Sequence, residues 1–357
     1  MNVTKTYLPP LEQYGEYLKK IWNSGWVTNY GPLVEELEGK LKEYLGVRHL
    51  FFVSNGTIAL QIAIEALELK GEIITTPFSY VATTSAIAWQ GKKPVFADIE
   101  PGTLCIDPAR IREKITKQTS AILATHIYGN PCDTEAIDQI QKQYGLKVIY
   151  DAAHAFGVGY NGSSLLREGD ISTISFHATK VFHTIEGGAI ITQDDSLAEK
   201  ISYMMNFGHD GEERFFGLGI NGKNSEFHAA MGLCLLPEMK KIIEKRKELT
   251  LLYDQLLNNI PLSKPITRES VEYNYGYYPV IFPTEQALLQ ARSVLNANNI
   301  FPRRYFYPSL NNLNYIDRQA LPVADDISPR VLCLPLFYEM TEADIRNVSS
   351  IIIKAFA

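Results

Sequence analysis

Through the first two-thirds of this 357-residue chain, short β-rich apolar runs alternate with segments carrying the three-to-four-residue apolar period of a helix. The runs Leu50-Phe51-Phe52-Val53, Glu72-Ile73-Ile74-Thr75, Pro94-Val95-Phe96-Ala97, Ala121-Ile122-Leu123-Ala124, Val148-Ile149-Tyr150 and Ile171-Ser172-Thr173-Ile174 read as strands. Their alternation with helices predicts an α/β architecture, a mainly parallel sheet covered on both faces. A long helix is expected from about Asn224 through Ala229-Ala230-Met231-Gly232-Leu233 to Lys245-Arg246-Lys247, with the charged end as a solvated face. Beyond residue 250 the texture changes. Tyr273 to Phe282 reads as a strand, Glu285 to Ala291 as the start of a helix, and Thr341-Glu342-Ala343-Asp344 as the N-cap of the last helix. The expected division is an N-terminal arm with a large domain over 1–245 and a small α+β domain over 246–357.

Three strand ends carry candidate chemistry. Ser54-Asn55-Gly56-Thr57 closes one apolar run and opens a helical one, so free backbone N–H groups, a helix dipole and small hydroxyls converge where an anion could sit; the same residues also suit an ordinary N-cap. Asp151 ends Val148-Ile149-Tyr150, where open α/β sheets place ligands. Its carboxylate could pair with a pyridine N–H, or cap the next helix. His154 follows three residues on. Lys180 ends Ser175-Phe176-His177-Ala178-Thr179-Lys180 ahead of the Gly187-Gly188 turn, either as an amine for Schiff-base chemistry or as an end-of-strand charge. The order of the three along one chain favours the chemical reading of each.

At these residues the chain resembles fold-type I enzymes that use pyridoxal phosphate (PLP), and among them the DegT/DnrJ/EryC1/StrS nucleotide-sugar aminotransferases. The resemblance runs from Gly25-Trp26-Val27-Thr28-Asn29-Tyr30-Gly31-Pro32 to Cys333-Leu334-Pro335-Leu336, and its most specific part is Ser175 to Lys180 followed by Glu186-Gly187-Gly188-Ala189. It implies that Lys180 holds the cofactor covalently and then moves protons. It further implies that Asp151 binds the pyridinium nitrogen, that Tyr80 stacks on the ring, and that His154 reaches the 3-oxygen where many relatives carry glutamine. Gly56, Thr57 and Ser175 would hold the phosphate, joined by Asn221 from a neighbouring subunit, hence a homodimer with shared active sites. Family dehydrases replace the lysine with histidine, so Lys180 favours transamination.

Composition changes the picture only by exclusion. A net charge of −6 with no dense basic cluster argues against nucleic-acid binding. Cys105, Cys132, Cys234 and Cys333 lack zinc-ligand spacing, and a reduced, cytoplasmic protein is expected. The first ten residues lack a signal-peptide core, and no apolar run is long enough to span a membrane.

In Phe301-Pro302-Arg303-Arg304-Tyr305, Arg303 and Arg304 could grip a diphosphate and Tyr305 stack on a ring, and the resemblance implies that the segment lies near the nucleotide sugar and that Trp26 and Asn29 belong to a loop at the substrate entrance. Each segment could also be a loop packed on itself. The resemblance implies glutamate as amino donor and dTDP-4-keto-6-deoxyglucose as acceptor, for O-antigen lipopolysaccharide or another surface glycan. Two alternatives stand beside it: a 3-keto-6-deoxyhexose acceptor, and a PLP-binding regulatory protein without turnover.

Overall fold

The computed structural model describes residues 1–356. Strands β1 (His49–Val53), β2 (Glu72–Thr75), β3 (Lys93–Phe96), β4 (Thr119–Thr125), β5 (Lys147–Asp151), β6 (Ile171–Ser175) and β7 (Gly188–Thr192) form one sheet in the order β1-β7-β6-β5-β4-β2-β3. From β6 to β3 the pairing is parallel, while β7 runs antiparallel to both β6 and β1.

Helices α1 (Leu11–Ser24), α2 (Pro32–Leu45), α3 (Gly56–Ala66), α4 (Val81–Trp89), α5 (Pro108–Lys114), α6 (Thr134–Tyr144), α7 (Asp195–Met204) and α8 (Glu226–Leu235) surround it. Alternate residues of single strands enter different cores, because side chains along a strand point to opposite faces. Ile73, Leu123 and Ile149 pack with Ala59, Ile62 and Ala63 of α3, whereas Ile74, Ile122 and Val148 pack with Ile137 and Ile140 of α6. The sheet is covered on both sides, as the continuous apolar runs predict.

The expected long helix is two. Between α8 and α9 (Met239–Leu257), residues Leu236–Glu238 form a 3₁₀ turn around Pro237, which has no N–H to donate. The charged end of α9 is also not uniformly solvated. Arg246 is buried, its Nε and Nη2 donating to the carbonyls of Tyr275 and Gly276 at 2.9 and 2.7 Å. Those bonds hold residues 273–276 as a loop, so the expected ten-residue strand shrinks to β8 (Tyr278–Ile281), paired with β9 (Val331–Leu334).

With α10 (Glu285–Ala297), α11 (Pro322–Ile327) and α12 (Glu342–Phe356), the C-terminal segment builds its own core from Leu249, Tyr253, Tyr278, Phe282, Leu295 and Ile345. The start of α12 carries the expected cap: Asp344 N–H donates to Thr341 Oγ1, and Thr341 N–H returns a bond to Asp344 Oδ2. Among the described residues no helix is long and apolar enough to cross a membrane, and the four cysteines are buried and free.

Candidate active site

The C-terminal ends of β4, β5 and β6 and the start of α3 open on one cavity of about 750 Å³. At α3, Asn55 is the N-cap, and its side chain accepts from Ile58 N–H at 2.9 Å. The preceding N–H groups, of Gly56 and Thr57, are left without intrahelical acceptors and line the cavity. A Cβ on Gly56 would stand 3.0 Å from Ser175 Cβ, so the missing side chain is what lets helix start and strand end converge. Gly188 does the same from β7: a Cβ there would meet Asn55 C at 2.7 Å and Gly56 N at 2.8 Å.

Asp151, at the end of β5, is only 6 % exposed. Burial pushes its carboxyl up from the usual range, opposed by hydrogen bonds from Thr83 Oγ1 at 2.7 Å and Ala153 N–H at 3.1 Å and by the charge of Lys180. His154 is buried too, and burial holds it well below its ordinary value, hence neutral. Its Nδ1 accepts the Tyr128 N–H at 3.2 Å, so the proton sits on Nε2. Phe306 lies parallel to the ring at 5.6 Å and Tyr277 meets it nearly edge-on at 4.8 Å. Lys180 is half-buried at the wall, and burial lowers its amine to about 8 against the raising charge of Asp151.

One cavity therefore gathers Gly56, Thr57, Tyr80, Asp151, His154, Ser175, Lys180, Arg303 and Tyr305. The other expected residues lie outside it. Arg304 turns away: Nη2 donates to Glu285 Oε1 and to Pro329 O at 2.6 and 2.7 Å, with Tyr307 under the guanidinium at 3.5 Å, while its buried Nε has no partner among the described residues. Trp26 packs beside Gly31, Asn29 lines a different pocket with Lys223 and Phe207, and Asn221 pairs with Asn206 on an exposed loop. Sequence reasoning passed over His177, Glu186, Tyr277 and Phe306, which line the cavity as well. His177 and Glu186 both fall in the Ser175 to Ala189 stretch that carries the resemblance, whereas Tyr277 and Phe306 reach the site only through packing of the C-terminal segment.

The sequence profile of the DegT/DnrJ/EryC1/StrS aminotransferase family matches residues 12–353. The chain belongs to this family. This aminotransferase is 45 % identical to dTDP-4-amino-4,6-dideoxy-D-glucose transaminase of Shigella dysenteriae, covering 98 % of this chain and 97 % of that one. It is 41 % identical to the transaminase of the same name from Escherichia coli, with the same coverage. Among solved structures it superposes on DesI, determined in the presence of its TDP-sugar product, with a TM-score of 0.92 at 32 % identity over 99 % of this chain and 92 % of that one.

Its cofactor is pyridoxal phosphate. The residues present fit that group. A helix start with unpaired N–H groups beside Ser175 suits a phosphate, buried Asp151 suits a pyridinium, and the Nε2–H of His154 suits a ring oxygen. Lys180 offers an amine whose neutral form is favoured by its surroundings.

Proposed function

We propose that this aminotransferase moves the amino group of L-glutamate onto C4 of dTDP-4-keto-6-deoxyglucose, giving dTDP-4-amino-4,6-dideoxyglucose. The reading is carried by the full-length likeness to the Shigella dysenteriae transaminase. Bound at Lys180, pyridoxal phosphate supplies an electron sink that lets hydrogen leave a carbon next to nitrogen as a proton.

The chain's own residues do the rest. Lys180 Nζ, whose amine burial lowers to about 8 and so makes far more easily neutral than an ordinary lysine, takes the proton from the donor's α-carbon. In the second half-reaction it delivers a proton to C4 of the sugar. Asp151 keeps the ring nitrogen protonated. His154 Nε2–H binds the ring oxygen, Tyr80 covers the ring face, and the Gly56 and Thr57 N–H groups with the Ser175 hydroxyl hold the phosphate, joined by Asn221 of a second copy. Arg303 and Tyr305, at the cavity mouth, receive the nucleotide half of the substrate. The assembly is a cytoplasmic homodimer feeding O-antigen or other surface-glycan synthesis.

The test is incubation of the PLP-loaded protein with glutamate and, separately, dTDP-linked 4-keto and 3-keto 6-deoxyhexoses, with nitrogen located in the product by NMR. Amination at C4 is expected. Nitrogen at C3, or no conversion of glutamate to 2-oxoglutarate, overturns the proposal.

A further inference from the structure

Behind Asp151 lies a file of three hydroxyls for which the binding roles above have no use. Thr125 Oγ1, on the last residue of β4, is 3.2 Å from Ser79 Oγ; Ser79 Oγ is 2.8 Å from Thr83 Oγ1 on α4; and Thr83 Oγ1 is 2.7 Å from Asp151 Oδ2. None of the three residues is more than 2 % exposed. Ser79 and Thr125 touch the cavity wall, yet so little of each is open to solvent that their hydroxyls bond chiefly to one another and to Thr83.

Proton counting gives the file a direction. An ionised carboxylate only accepts, so Thr83 spends its single hydroxyl proton on Asp151. Thr83 Oγ1 must then accept from Ser79, and Ser79 Oγ from Thr125. The three hydroxyls then donate head to tail in a series that ends on one carboxylate oxygen, and hydrogen bonds aligned in series polarise one another in a low-dielectric interior. The geometry points to Thr83 as a positioning residue that, backed by Ser79 and Thr125, keeps Asp151 ionised and fixed for a cationic heteroaromatic ring nitrogen. This deepens the proposed role of Asp151 and rests on it.

The other titratable or charged groups on the walls of this cavity are Lys180, His177 and Glu186 on the segment between β6 and β7, His154 in the turn after β5, Tyr80 at the head of α4, and Tyr277, Arg303 and Tyr305 from the C-terminal segment. Only the Thr83 hydroxyl and the Ala153 N–H donate to the carboxylate among the described residues.

The experiment compares parent, Thr83→Val, Thr83→Ser and Ser79→Ala, each loaded with PLP and followed by visible absorbance against pH during dialysis. Loss of the Thr83 donor raises the carboxyl's titration, so retention of the cofactor, present while Asp151 is charged, fails at a higher pH as acid is added. A displacement of the acid limb by about one pH unit is expected for Thr83→Val, with near-complete return in Thr83→Ser and a smaller displacement in Ser79→Ala. A merely structural role would lower the melting temperature and leave the limb where it is; that result for both Thr83→Val and Ser79→Ala overturns the inference. If Thr83→Val does not fold, Ser79→Ala decides. Borohydride trapping of PLP on Lys180 in the parent separates the two readings. Trapping with an unmoved limb defeats only the relay, and no trapping defeats both.

Discussion

At the scale of single residues, the site is governed by how burial acts on three ionisable groups of different type. It depresses the amine of Lys180, depresses the imidazole of His154 and raises the carboxyl of Asp151, each toward its neutral form. Only Asp151 is given donors to hold its charge, and its charge in turn holds up the amine. Covalent capture of PLP by the cofactor-free protein needs the neutral amine, so its rate is expected to rise with pH through a midpoint near 8, well below the ordinary lysine value, and then to level off. Removing the carboxylate charge with Asp151→Asn lowers the midpoint further, because Asp151 opposes the effect of burial. Stopped-flow absorbance at a series of pH values checks both; a midpoint that rises in the variant would reverse the assigned electrostatics. The placement of Lys180 and Asp151 at one cavity was legible in the sequence because Asp151 ends an apolar run, and Lys180 follows one, where such sheets expose ligands. Thr83, 68 positions from its carboxylate, and the tautomer of His154, set by a backbone N–H 26 positions away, were not, since no local pattern encodes either contact.

At the scale of elements, the strands were readable wherever a run is apolar on both faces, and the errors fell where a distant partner overrides local preference. Strand β7 begins at a glycine pair that reads as a turn, and its five residues are all buried between β1 and β6. The α9 pattern hid Arg246 among lysines, although its guanidinium satisfies two loop carbonyls. The start of α2 is the sharpest case. Pro32 and Gly31 announce a helix start but offer no capping side chain, and the acceptor is instead Glu226 of α8, whose carboxylate takes the Leu33 and Val34 N–H groups at 2.9 and 3.0 Å while only 2 % exposed. Glu226→Ala would leave those donors unpaired in a dry site and is expected to cost about 2 kcal/mol in urea unfolding of the loaded protein, with Glu226→Gln costing less because one acceptor survives. Glu226 N–H also bonds Val27 O at 3.1 Å, a backbone contact that both variants keep.

At the scale of the whole molecule, the exposed residues around Asn221 bear on how many chains make a working site. Residues 207–220 form an outlying loop on which Phe215, Phe216 and Leu218 are 67, 60 and 76 % exposed, an apolar cluster that an isolated chain would leave in water. Asn221 sits at the root of this loop, exposed and outside the cavity that holds Lys180 of its own chain. These facts are the ones expected if the loop leans on a second copy and Asn221 serves that copy's phosphate. Sedimentation should then give twice the 40.2 kDa chain mass. The stricter test uses two inactive variants, Lys180→Ala and Asn221→Ala. If each site takes Lys180 from one chain and Asn221 from the other, a mixed dimer has one site with both lesions and one with neither. Co-refolding equal amounts should therefore restore activity to about a quarter of the parent's per chain, since half the dimers are mixed and each carries one intact site. If both residues serve the same chain's site, every site in every dimer carries one lesion and mixing restores nothing. Activity no greater than the average of the two separate variants would assign Asn221 to its own chain and remove the ground for shared active sites.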